Sequence, residues 1–97
     1  MAENENGDSL AGDFEAQAHA SVREIERILR RAGGSLQDIV TTTVFILDTR
    51  YGEEIIPKIR RQYFPDNFPA AALITVSGFA RSDMMIEIHA VAVIGDN

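Results

Sequence analysis

The 97-residue sequence is long enough for one domain, and its 45% hydrophobic and 25% charged residues are typical of an ordinary globular protein. It contains no cysteine, which excludes disulfides, thiolate metal sites and cysteine nucleophiles. Four of the 15 acidic residues precede Phe14, so the rest of the chain has 11 acids against 9 bases, a near-neutral balance that disfavours nucleic-acid binding.

The first 12 residues predict a flexible acidic N-terminus, followed by a single domain over residues 13–97. Glu3, Glu5 and Asp8 stand where a secretory or mitochondrial leader would have basic residues. No apolar run reaches the ~20 residues that a bilayer-spanning helix needs. The sequence therefore predicts a cytoplasmic protein without membrane contact.

Residues 14–32 carry apolar side chains at the three- and four-residue spacing of an amphipathic helix. Gly33 and Gly34 end the predicted helix, because two consecutive glycines do not continue one. Ser35 and Asp38 then have the spacing of a capping box, which predicts one short helical turn.

A second helix is indicated by Ile55, Ile56, Ile59 and Tyr63. Proline costs no hydrogen bond in the first turn of a helix, so Pro57 places the predicted start near Glu53 or Glu54. The Phe64-Pro65 pair ends this helix, since a residue before proline avoids the helical region.

Residues 39–47, 70–77 and 85–94 are short, apolar and rich in β-branched side chains, which predicts three strands. The first two strands and the helix between them form a β-α-β unit, whose strands should be parallel. The predicted fold class is therefore α+β in two layers, with two helices packed on one face of the sheet.

Two helices cover one face of a sheet, yet the strands carry large apolar side chains on both faces. The residues predicted to remain in water are Val40, Val44, Ile46, Met85, Val91 and Val93. An apolar patch of this extent exceeds what monomers usually expose, so the sequence predicts a homo-oligomer that covers the second face.

Five segments together resemble the Rid family, also called the YjgF-type or reactive-intermediate deaminase family, in order and spacing. They read GDFEAQ, ILRRAGGSLQDIV, TTTVFILD, FPAAALITV and MIEIHAVAV, and the resemblance covers residues 12–94. It implies a chorismate-mutase-like homotrimer in which three mixed sheets form a central barrel and small molecules bind in clefts between subunits. The implied activity is hydrolysis of enamines or imines of small amino acids to 2-keto acids and ammonia.

The sequence departs from the family's pattern in three places, one of which is an asparagine of the family's second helix that falls near Pro57 here. The family binds the substrate carboxylate with the arginine of a Pro-Ala-Arg-Ser segment, which here is Pro69-Ala70-Ala71-Ala72, so Ala71 stands at the arginine position. The family's opening hairpin would precede Met1, so the resemblance implies either a sequence that starts late, through truncation or a misplaced start codon, or an N-terminally shortened member.

The resemblance also implies which residues form the cleft. Glu87 matches the family's acidic residue near the reacting carbon and would position water, although an interface carboxylate fits the same place on the strand. The substrate-binding positions implied are Ala71, Ala72, Leu73, Arg81 and His89. Arg81 is a candidate replacement for the missing cation, while His89 fits either a proton relay or an ordinary interface residue.

His19 and His89, without cysteine or a third ligand at suitable spacing, give no metal signature, and no cofactor is expected. Three functions follow in order of preference. The first is small-molecule binding with enamine or imine hydrolysis, and the second is a non-catalytic trimer that binds a metabolite or a protein. RNA binding or cleavage is third, because the charge disfavours it.

Overall fold

The first helix, α1, spans Phe14–Arg31 in the computed structural model, which describes residues 2–66 and 68–95. The side chain of Asp13 caps its start by accepting a hydrogen bond from the Ala16 N–H at 3.0 Å. At the other end Gly33 has φ of +85°, and the Gly34 N–H donates to the Leu29 carbonyl at 2.8 Å. Both predicted ends of the helix are confirmed.

A single 3₁₀ turn, Leu36–Asp38, leads from α1 into the sheet. The Ser35 N–H donates to Asp38 Oδ2 at 2.8 Å, which is the reciprocal bond of the predicted capping box. Leu36 is buried beneath this turn, so the turn fixes where the first strand starts.

Two helices occupy the region where the sequence predicts one. α2 spans Thr49–Glu54 and α3 spans Ile56–Tyr63, so the predicted start near Glu53 or Glu54 is wrong. Asp48 starts α2 by accepting from the Arg50 N–H at 2.9 Å. Pro57 sits in the first turn of α3, and its missing N–H interrupts the hydrogen-bond ladder between the two helices.

The Asp48 carboxylate also accepts hydrogen bonds from the Arg50 side chain, with Nη2 at 2.6 Å from Oδ2. These side-chain bonds, followed by the backbone bond, lower the pKa of Asp48 to about 2. The cap of α2 is therefore expected to stay ionised until the pH falls well below 4.

The sheet has three strands, β1 at Ile39–Ile46, β2 at Ala70–Thr75 and β3 at Ile86–Ala92, in the order β2-β1-β3. β1 pairs parallel with β2, as the β-α-β prediction requires, and antiparallel with β3. Because α1 and α3 pack on one side of this mixed sheet, the predicted two-layer α+β class is correct.

The core lies between the helices and one face of the sheet, which we call the helix face. Its buried residues are Phe14, Ala18, Val22, Leu36, Ile39, Ile46, Ile59 and Ile86. Val44 and Met85 pack against this cluster, so the prediction that Val44, Ile46 and Met85 belong to the other face is wrong. For Val44 and Ile46 the reason is a register irregularity between Ile39 and Thr41, which shifts the alternation along β1. Met85 precedes β3, so the alternation of that strand does not determine its side.

Gln17 is a fully buried polar residue on α1. Its Nε2 donates to the carbonyls of Leu10 and Asp83 at 3.1 and 2.8 Å, and its Oε1 accepts from the Met85 N–H at 2.9 Å. One amide thereby ties α1 to the N-terminal segment and to the loop before β3.

We expect Gln17→Met to lower the free energy of unfolding by about 2–4 kcal/mol, because it leaves three backbone groups without their partner. Urea unfolding followed by circular dichroism measures this loss. Gln62→Met, on the exposed side of α3, is the matched control and should change the value by less than about 0.5 kcal/mol. Equal stability of the two variants would contradict this role.

Residues 2–10 form a small hairpin beside α1. Glu3 and Ser9 make an antiparallel bridge, the Leu10 N–H donates to the Ala2 carbonyl at 2.7 Å, and Ala2 is 4% exposed. The flexibility of residues 1–12 remains a prediction that amide hydrogen exchange would check. Met1, Asp96 and Asn97, at the ends of the predicted division into tail and domain, lie outside the described residues.

Within residues 2–66 and 68–95, no helix combines the length and the apolar character needed to cross a bilayer.

Candidate functional site

The sheet face opposite the helices, called the open face here, is built from three rows of side chains across the strands. Strand pairing gives the rows Ala70–Thr41–Val91, Ala72–Thr43–His89 and Ile74–Phe45–Glu87. The face is exposed in the single chain, and at its ends Val40, Val91 and Val93 are 45%, 58% and 66% exposed. The open face thus combines apolar side chains with one acid and one histidine.

Glu87 and His89 are neighbours on this face. His89 Nε2 lies 3.7 Å from Glu87 Oε2, and the two side chains are 64% and 47% exposed respectively. The His89 ring also contacts the Phe45 ring edge to face, with centroids 5.0 Å apart. Glu87 therefore has a neighbour that can carry a proton, and its carboxylate remains open to a ligand or to water.

Ala72 lies in the same row as His89, with Thr43 between them. Of the positions implied for the cleft, Glu87, His89 and Ala72 therefore share one surface.

Arg81 and Glu87 both line a groove of about 390 Å³ between β3 and α1. The guanidinium of Arg81 is already occupied, because Nη2 lies 2.9 Å from Glu3 Oε1 and 2.8 Å from Asp83 Oδ2. The bonds to Glu3 and Asp83 raise the pKa of Arg81. Glu24 lines the groove as well, so the charge of the groove is predominantly negative. Such a groove is a poor environment for a substrate carboxylate.

Ala71 and Leu73 lie on the other side of the sheet. Ala71 pairs with Thr42 and Leu73 with Val44, both on the helix face. Leu73 packs so closely on α2 that a Cβ atom at Gly52 would clash with its side chain. The implied cleft residues are thus divided between the two faces of one chain.

Ala71 borders a small apolar cavity between the sheet, α1 and α3, with a volume of about 60 Å³. Arg60, on α3, is the charged residue of the cavity lining, and its guanidinium carbon lies 5.5 Å from the centre of the Phe68 ring. The sequence alone indicates that Arg60 belongs to a solvated charged cluster with Lys58 and Arg61. Residues 60 and 71 are brought together only by the path of the chain after α3. The available signal was an arginine one helical turn after Ile56, within an otherwise apolar face.

No group of three or more His, Asp or Glu side chains in the described part of the chain could hold a metal ion.

The described residues form a two-layer α+β domain with a mixed three-stranded sheet and one uncovered sheet face. A solved structure of a conserved Rid family protein from Yersinia pestis superposes on 97% of this chain and 73% of its own, with a TM-score of 0.84 and 26% identity.

Residues 1–94 match the family model described as Endoribonuclease L-PSP. The chain belongs to this family, which is the Rid or YjgF-type family of the sequence resemblance.

Two curated relatives are similar over nearly the whole chain. The 3-aminoacrylate deaminase RutC of Acinetobacter baylyi is 36% identical over 90 residues, which cover 92% of this chain and 70% of the relative. The human 2-iminobutanoate/2-iminopropanoate deaminase is 32% identical over 90 residues, covering 93% and 64%. The family model is named after a ribonuclease, whereas these relatives are named after deamination, which supports enamine and imine deamination as the chemistry of the family.

Proposed function

We propose that this protein hydrolyses small enamine or imine carboxylates to keto compounds and ammonia, using Glu87 to position and deprotonate water. The observation that carries the proposal is the exposed carboxylate of Glu87 on the open face, beside His89, in a chain similar to two deaminases. The names of those relatives specify substrates that all contain a carboxylate and a C–N bond.

The chemistry needs one water molecule and no external oxidant. An enamine first takes up a proton from solvent on carbon and becomes an iminium ion. The water oxygen then bonds to the iminium carbon while Glu87 accepts a water proton, which gives a carbinolamine. When Glu87 passes that proton to the amine nitrogen, the C–N bond breaks and ammonia leaves, and the hydroxyl group returns one proton to solvent as it becomes the keto oxygen.

The site we propose combines two copies of the chain. Glu87 lies on the open face and Ala71 on the helix face, so a substrate that reaches both requires Glu87 from one subunit and Ala71 from another. The exposed valines of the open face support self-association, because their burial is favourable. A homotrimer, as the family resemblance implies, would supply both in one intersubunit cleft.

A second candidate is a trimer that binds a metabolite or a protein without turnover. Ala71 favours it, because the position lacks the guanidinium that binds a carboxylate in the family's pattern, and such a contact gives both charge and geometry. Binding of a keto acid without acceleration of imine hydrolysis would identify this function.

The deciding experiment generates 2-iminobutanoate in the assay from 2-aminobutanoate with an amino-acid oxidase. Semicarbazide in the same solution traps imine that has not been hydrolysed. We expect the protein to increase ammonia release and to decrease trapped imine in proportion to its concentration. An unchanged imine lifetime at an equimolar amount of protein would reject the proposed reaction.

A further inference from the structure

We infer that Arg60 binds the carboxylate of the ligand, and that the apolar cavity beside it holds the ligand's short aliphatic chain. The inference rests on the proposed function for its substrate class, and it adds the residue and the cavity that would bind such a ligand. It assigns to α3 the cation that the sequence lacks at Ala71.

The cavity has the chemistry of a binding site for a small amphiphile. Its floor is buried and apolar, and it is formed by Ala18 and Val22 of α1 and Ile86 of β3. Arg60 and Ala71 are its exposed lining residues, so they mark its open side. A volume of about 60 Å³ corresponds to roughly four or five water-sized groups, which suits an ethyl group and the atoms next to it.

Arg60 and Thr42 supply the polar side chains of this lining. Neither forms a hydrogen bond or an ion pair with another described residue. The guanidinium carbon of Arg60 lies 5.5 Å from the centre of the Phe68 ring, a cation–π contact that uses none of its N–H groups as hydrogen-bond donors. Arg60 can therefore form the bidentate contact that a carboxylate requires, and the Thr42 hydroxyl can hydrogen-bond a second polar atom.

Comparison with Arg81 strengthens the assignment. Arg81 contacts two carboxylates within 3 Å, so a substrate would have to displace Glu3 or Asp83. A ligand at Arg60 displaces no acidic side chain of the described chain. The charge of the two surroundings therefore favours Arg60, although Arg81 is nearer to Glu87 within one chain.

The small side chain of Ala71 has a defined role in this arrangement. Ala71 pairs with Thr42 across β1 and β2, at the open side of the cavity. A larger side chain at this position would occupy the space between Arg60 and Thr42. Ala71 thus acts as the small residue that keeps the cavity open.

The test measures binding, so it does not depend on turnover. The probe is 2-oxobutanoate, titrated into the full chain and followed by amide chemical shifts, with 2-butanone as the uncharged comparison. We expect wild-type protein to bind 2-oxobutanoate at least tenfold more tightly than 2-butanone. Arg60→Gln should weaken 2-oxobutanoate binding about tenfold to a hundredfold and leave 2-butanone binding unchanged.

Two matched variants complete the design. Arg61→Gln removes the neighbouring charge of α3, which is not part of the cavity, and should leave both affinities unchanged. Ala71→Leu should weaken the binding of both 2-oxobutanoate and 2-butanone, because the leucine side chain fills the cavity. Arg60 is exposed, so Arg60→Gln should retain the wild-type melting temperature. The comparison of 2-oxobutanoate with 2-butanone uses wild-type protein alone, so it does not depend on the folding of any variant.

Specific outcomes would overturn the inference. These are equal binding of the two probes by wild-type protein, no effect of Arg60→Gln, or a loss on Arg81→Gln in its place. Failure of the proposed function looks different: 2-oxobutanoate binds through Arg60, yet imine hydrolysis is not accelerated.

Discussion

The Glu87→Gln variant is expected to lose about a hundredfold to ten-thousandfold in the rate of ammonia release from 2-iminobutanoate. Glutamine preserves the size of the side chain and its place on the open face, but it cannot accept the proton of the attacking water. The affinity for 2-oxobutanoate should change little, because the carboxylate of the ligand is assigned to Arg60. The loss should therefore appear in kcat more than in KM.

The matched control is Glu53→Gln, an exposed acid on α2 outside both faces of the sheet. It should retain the wild-type rate. If Glu87→Gln and Glu53→Gln release ammonia equally well, Glu87 is an interface carboxylate and another group activates water.

The same variant also tests the two-copy site. Glu87→Gln chains, which are slow, and Arg60→Gln chains, which bind substrate weakly, should regain activity at low substrate concentration when they are unfolded together and refolded as mixed oligomers. With equal amounts and random assembly, about a quarter of the sites would have both intact residues. No recovery in verified mixed oligomers would contradict a site that takes these two residues from different subunits.

A second large effect is expected from Val91→Lys on the open face. Wild-type protein should have three times the 10.7 kDa mass of the chain in light scattering. Burial of one valine contributes about 2 kcal/mol, and a symmetric trimer repeats the substitution three times, so association should weaken by about four orders of magnitude. Val91→Lys should therefore elute as a single chain at micromolar concentration.

Ile28→Lys is the control for this prediction, because Ile28 on α1 is 54% exposed but lies away from the open face. It should retain the oligomeric mass. A wild-type protein that remains a single chain at high concentration would reject the oligomer and the shared cleft together.

The regular part of the fold could be predicted because local signals agreed with tertiary packing. The apolar spacing of α1, its Asp13 cap and the two glycines after it all indicate one helix with the observed ends. The register irregularity near Val40 has no comparable local signal. It reverses which residues of β1 face the core, so Val44 and Ile46 were assigned to the wrong face.

The site was predicted less completely than the fold. Glu87 was indicated by the family resemblance, and the structure places it on an exposed face with His89, where its catalytic role stays a prediction. Arg60 could not be selected, because its relation to Ala71 depends on how α3 packs over β2. Sequence spacing describes one element at a time, whereas this cavity combines three elements.

The strand order has a consequence for synthesis of the chain. β1 is central, and its residues pair with residues of β2 and β3 that lie 29 or more positions further along the sequence. β1 and β2 are connected by a long crossover that contains α2 and α3. Among the described strands, none pairs with its predecessor through a short turn. We therefore expect α1 to form early on the ribosome, while the sheet assembles only after almost the whole chain has emerged.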